Sequence, residues 1–150
     1  MPLLADPPSD EVTRTACEVL GRALYIASEF EDDCRSLAFV LKVREPQPEG
    51  QSDDEFFTAV SKAVLGRLVD LNKLIARRAK LKEDYAAMLH AARDSRNYIA
   101  HEAVGDLERR TKVFGGFGQW QEVMASKLEE VAFGRIIVAR SEERRVGKEC

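Results

Sequence analysis

Apolar residues recur at spacings of three and four along most of this chain, and that period defines its elements. Val12, Ala16, Val19, Leu20, Ala23, Leu24, Ala27, Phe30, Cys34, Leu37, Ala38 and Leu41 form one stripe. Held for about thirty residues, such a stripe predicts a long amphipathic helix. Ser9 is placed to N-cap it, and Asp10 and Glu11 fall in the first turn, where carboxylates suit the positive end of the helix dipole. The pattern stops before Pro46, and Pro46, Pro48, Gly50 and Ser52 mark a surface loop.

A second helix is expected from Asp53 or Asp54 to Arg78, with Phe56, Phe57, Val60, Val64, Leu65, Leu68, Leu71, Leu74 and Ile75 on its apolar face. A third starts near Glu83, turns Tyr85, Met88, Leu89, Ala92 and Ile99 inward, and ends close to His101. Residues 103–118 contain Gly105, Gly115, Gly116 and Gly118 and read as a loop with room for one helical turn. The last helix carries Trp120, Val123, Met124, Leu128, Val131 and Ala132 and fades after Val138. Helices near 9–44, 54–78, 83–102 and 118–139, with no strand-like alternation, predict an all-α fold, an up-down four-helix bundle. Residues 141–150 (SEERRVGKEC) are charge-dense, lose the apolar period and resemble translated cloning or read-through sequence. The expected organisation is one domain over 1–140 followed by that tail.

Charge changes this picture more than composition does. The net charge is −3, but residues 1–60 hold 13 acids against 5 bases, whereas residues 61–150 hold 13 acids against 18 bases. Lys73, Arg77, Arg78, Lys80 and Lys82 form a run without an acid, so a phosphate backbone would be drawn to that region, although for a basic run alone a solvated helix face and loop is the better explanation. No apolar run reaches the length of a membrane span, and Met1–Pro8 has neither the basic region nor the apolar stretch of an export signal. Cys17 and Cys34 fall on one predicted helix about 25 Å apart, too far for a disulfide. They read as buried small hydrophobes in a reducing, cytoplasmic setting. No CxxC or His/Cys cluster calls for a metal or other cofactor.

The candidate chemistry lies at the end of the third helix, in Arg96-Asn97-Tyr98-Ile99-Ala100-His101. An Arg followed by His after four to six residues is expected about 0.6 times in a shuffled chain of this composition, and so carries nothing by itself. Fixing the spacing and requiring Asn after the Arg lowers the expectation to roughly 0.003. RNA carries its own nucleophile, the 2′-hydroxyl, so cleavage needs proton transfer and stabilisation of phosphorane charge rather than a metal-bound water. Histidine, with an ordinary pKa of about 6.5, suits the first task. Arginine, with its planar fork of donors, suits the second. One histidine is too few for an acid–base pair, so the motif predicts a twofold dimer with two copies sharing a cleft. On a straight helix Asn97 and His101 share a face with Arg93, but Arg96 is about 140° from His101. A distorted helix end, a wrapping side chain or a dimer mate must bring them together.

The segment from Ala92 to Glu102 resembles the active-site helix of the HEPN superfamily, small α-helical bundles with an Arg-x4–6-His motif that often has a polar residue directly after the Arg. The resemblance implies a metal-independent endoribonuclease, usually dimeric, from toxin–antitoxin, phage-defence or CRISPR-associated systems, with an antitoxin or other defence protein as partner. It makes Arg96, Asn97 and His101 the catalytic group. Arg93, Lys73, Arg77, Arg78 and Lys80 are then candidate RNA contacts. Ala103 stands where a subgroup paired with nucleotidyltransferase antitoxins carries Tyr, so that subgroup's tyrosine modification is not implied. Two other readings stand beside this one: an inactive HEPN-like module that binds RNA or protein, and an unrelated scaffold bundle. His101 also suits a helix C-cap, and His90 a structural role. The Gly115–Gly118 run reads as a helix connection before a binding loop, and Trp120 as core or dimer interface.

Overall fold

A computed structural model describes residues 10–146, which form six α-helices and no strand: α1 (Glu11–Val43), α2 (Asp53–Val64), α3 (Leu68–Arg78), α4 (Glu83–His101), α5 (Ala103–Arg110) and α6 (Gly116–Val146). The all-α expectation holds for the described residues, and none of their helices is long and apolar enough to cross a membrane. Phe30, Leu37, Ile75, Leu89, Trp120, Met124, Val131 and Val138 are fully buried and form the centre of one core. All but Ile75 come from α1, α4 and α6, the three helices that enclose the candidate site.

Local signals set most helix starts. Asp10 caps α1 and accepts from the Thr13 N–H at 2.6 Å; the proposed cap, Ser9, lies outside the described residues. Ser52 and Glu55 close a reciprocal capping box on α2, satisfying two backbone donors that the first turn leaves free. α4 begins at Glu83 and ends at His101, as its apolar period predicts.

The expected helix over 54–78 is broken. The chain turns at Leu65-Gly66-Arg67, Arg67 adopts an extended conformation (ψ 141°), and Leu65, assigned to the apolar face, is 74% exposed. The Arg35 guanidinium from α1 donates to the Val64 carbonyl at 2.5 Å and the Gly66 carbonyl at 2.9 Å, satisfying acceptors that the end of α2 leaves open. The predicted 103–118 loop contains α5, which follows α4 after a single bend at Glu102. Its Asp106 accepts from Arg110 and from the Tyr98 hydroxyl of α4. Gly115 has φ +75°, and a Cβ on Gly116 would lie 1.7 Å from the Arg110 carbonyl oxygen. The glycine run is therefore a tight α5–α6 connection. α6 does not stop at 139 but continues to Val146, with Ser141 buried and bonded to the Ile137 carbonyl; residues 147–150 lie outside the description. Cys34 is buried as expected, whereas Cys17 is exposed, and Tyr85 faces solvent rather than the core.

Candidate functional site

The last turns of α4 lie between α1 and α6. Antiparallel α4–α6 packing is marked by Ala92 against Gly134 and by Ser95 against Glu130. Gly134 of α6 lets the three helices close up: a Cβ there would sit 2.4 Å from the Ala92 Cβ and 2.9 Å from Phe30 Cε2. Ala92 is one helical turn before Arg96, and Phe30 directly precedes Glu31. This close approach thus sets the distance across which Arg96 meets Glu31.

Arg96 reaches in two directions. Its Nη2 donates to Glu31 Oε2, and its Nη1 donates to Asn97 Oδ1 at 3.0 Å. Glu31 Oε1 also accepts from Arg35 at 2.6 Å, so two guanidinium groups share one carboxylate. Burial pushes the Glu31 carboxyl up, but the Arg35 hydrogen bond and the charges of Arg96 and Arg35 outweigh it and hold the group below the ordinary carboxylate range. The bond to Asn97 bears on the 140° offset of a straight helix. The side chain, not the backbone, turns Arg96 toward the residue that shares a face with His101.

His101, the last residue of α4, is exposed, and among the described residues it makes no side-chain hydrogen bond or ion pair. The end of α4 is instead secured through the backbone. Glu102 N–H bonds to the Tyr98 carbonyl at 2.8 Å, and the buried Trp120 donates its indole N–H to the Ala103 carbonyl at 3.0 Å. Trp120 is therefore core, stacked on Phe117. Burial and then the hydrogen bond to Asp106 push the Tyr98 phenol well up. The Tyr98 hydrogen bond is the largest influence on Asp106 and outweighs burial; with the Arg110 hydrogen bond and the charges of Arg110 and Arg109 it keeps the carboxyl below its ordinary value. Tyr98 stays neutral and ties α5 to α4. His90 is half-buried, and its Nδ1 has no partner among the described residues.

Of the candidate RNA contacts, Arg93 shares the Asn97–His101 stripe but is bonded to Asp94 at 2.9 Å. Lys73, Arg77 and Lys80 are exposed on α3 and the turn after it, and Arg78 pairs with Glu45 at 2.8 Å. Lys73 and Arg77 line a shallow depression together with Lys42 of α1, which the sequence reading did not include. This run does not converge on Arg96 and His101. Asn72, next to Lys73, bonds to the Leu89 carbonyl, and the turn holding Lys80 precedes the start of α4. The 19 residues of α4 from Glu83 to His101 put its two ends about 27 Å apart.

The sequence reading missed Glu31 and Gly134. An i,i+4 Glu31–Arg35 pair was visible on α1, but nothing local joins it to Arg96, 65 residues away. No protein-family model, curated protein or solved structure matches this chain.

Proposed function

We propose that this chain is a metal-independent endoribonuclease of HEPN type, acting as a toxin or defence effector on RNA. The observation that carries the reading is the Arg96 bond to Asn97, which turns an arginine on the far side of α4 toward the face that bears an exposed histidine. The 2′-hydroxyl of RNA attacks the adjacent phosphorus, a base accepts its proton, and an acid protonates the departing 5′-oxygen. The products are a 2′,3′-cyclic phosphate and a 5′-hydroxyl. Arg96 donates N–H groups to the non-bridging oxygens as charge builds there, and His101 moves protons. A twofold dimer with two His101 side chains across one cleft supplies both acid and base. Lys73, Arg77, Arg78 and Lys80 then hold RNA backbone away from the scissile bond.

A second reading is favoured by the Arg96–Glu31 pair, which satisfies Arg96 without any ligand. In it the domain is an inactive HEPN-like module that binds RNA or a partner protein through the same face. Cleavage of RNA in EDTA, compared among wild type, Arg96→Ala and His101→Ala, separates the two. Loss in both variants with the fold retained supports the enzyme. Salt-dependent binding without cleavage by any of the three selects the module.

A further inference from the structure

The Glu31 carboxylate is the meeting point of groups from three parts of the fold. Its Oε1 is held by Arg35, whose other terminal nitrogen is anchored on the backbone carbonyls of Val64 and Gly66. Its Oε2 holds Arg96, whose remaining terminal nitrogen meets Asn97. The Arg35, Glu31 and Arg96 side chains are 25%, 20% and 23% exposed. An isolated surface ion pair leaves two long side chains free to wander. Here each member is fixed by the next, and the series ends on backbone.

We propose that Glu31 is the positioning residue for Arg96, braced by Arg35 against the α2–α3 turn. A guanidinium has five N–H donors. One on each terminal nitrogen is taken by Glu31 and Asn97, which leaves Nε–H and one N–H on each terminal nitrogen for a phosphate. Glu31 thus fixes which edge of the fork faces outward and spares the transition state the cost of ordering a long side chain. It touches no substrate and transfers no proton. The activity half of this inference rests on the ribonuclease reading; the geometric half does not.

The test pairs kinetics with side-chain NMR of Arg96, assigned through Arg96→Lys. Glu31→Gln keeps the shape but loses the charge. In folded protein it lowers kcat for RNA cleavage by about tenfold to a hundredfold, with KM within about threefold, a split that simple loss of stability does not produce. Asp33→Asn, which breaks the nearby α1–α6 ion pair to Arg135, keeps kcat within about twofold. The terminal N–H protons of Arg96 give separate, slowly averaging signals in wild type and collapse together in Glu31→Gln. If Glu31→Gln cleaves as well as wild type while Arg96→Ala is dead, the positioning role is wrong and the ribonuclease reading stands. If it cleaves faster, Glu31 is an inhibitory latch and the inference is overturned. If no form cleaves RNA, the ribonuclease reading fails and the NMR decides positioning alone: Arg96 fixed in wild type and freed in Glu31→Gln supports it. Averaged signals in wild type overturn it, and that result needs no folded variant.

Discussion

At its C-terminal end α4 presents Arg96, a side chain tethered through Glu31 and Arg35 to the backbone of another helix pair. Before its N-terminal end stand Lys73, Arg77 and Lys80, exposed side chains that need no partner to stay in water. One region places a single guanidinium with defined direction; the other offers positive charge without fixed geometry. Charge count along the chain located the second. Only tertiary pairing produces the first, and phosphoryl chemistry requires direction where backbone binding requires mainly charge.

Substitutions within the Arg-x4-His motif sharpen this contrast most. His101→Ala is expected to lower single-turnover cleavage by about 10²-fold or more, with RNA affinity nearly unchanged. Arg96→Lys stays strongly impaired, because Lys keeps the charge and loses the planar fork. Quenched-flow rates and the appearance of a 2′,3′-cyclic phosphate end in EDTA measure both. A fully active His101→Ala protein would break the assignment.

A smaller effect tests the scaffold. Gly134→Ala drives a methyl into Ala92 and Phe30 and is expected to cost about 1–3 kcal/mol in urea unfolding, whereas Ala substitution at exposed Lys73 stays within about 0.5 kcal/mol. Equal costs at the two positions would erase the distinction between a built site and a solvated face. The basic end shows itself in salt dependence instead: each of Lys73→Ala and Arg77→Ala is expected to reduce the slope of log K against log salt by about 1, leaving bound-state cleavage intact.

The smallest effect follows from Glu31. Its carboxyl titrates below the ordinary range, so its stabilising contribution is complete above the unfolded pKa of about 4.3 and is lost as pH falls through the lower folded value. The stability gap between wild type and Glu31→Gln should therefore be widest near neutrality and narrow below about pH 4. A gap that widens in acid would mean that the carboxylate is not held by the two arginines.

The helical class and the limits of α4 were legible because local spacing determines them, whereas Ser52, read as loop, proves to cap α2. The break at Leu65-Gly66-Arg67 was not, since the apolar period runs through it without a proline and what meets the freed carbonyls is Arg35, thirty residues earlier. α5 was hidden by Gly105, whose low helix propensity is offset by the Asp106 contacts to Tyr98 and Arg110. In the candidate site the Arg96–His101 spacing could be read directly. The partner of Arg96 lies on another helix and could not.

Arg35 has a consequence for signal transmission. Its guanidinium grips the α2–α3 turn with one nitrogen and the Glu31 carboxylate with the other, so displacement at the turn and reorientation of Arg96 share one mechanical linkage. Moving Gly66 away from α1 would remove one or both backbone anchors, and the slack would appear at the far end of the linkage, at Arg96.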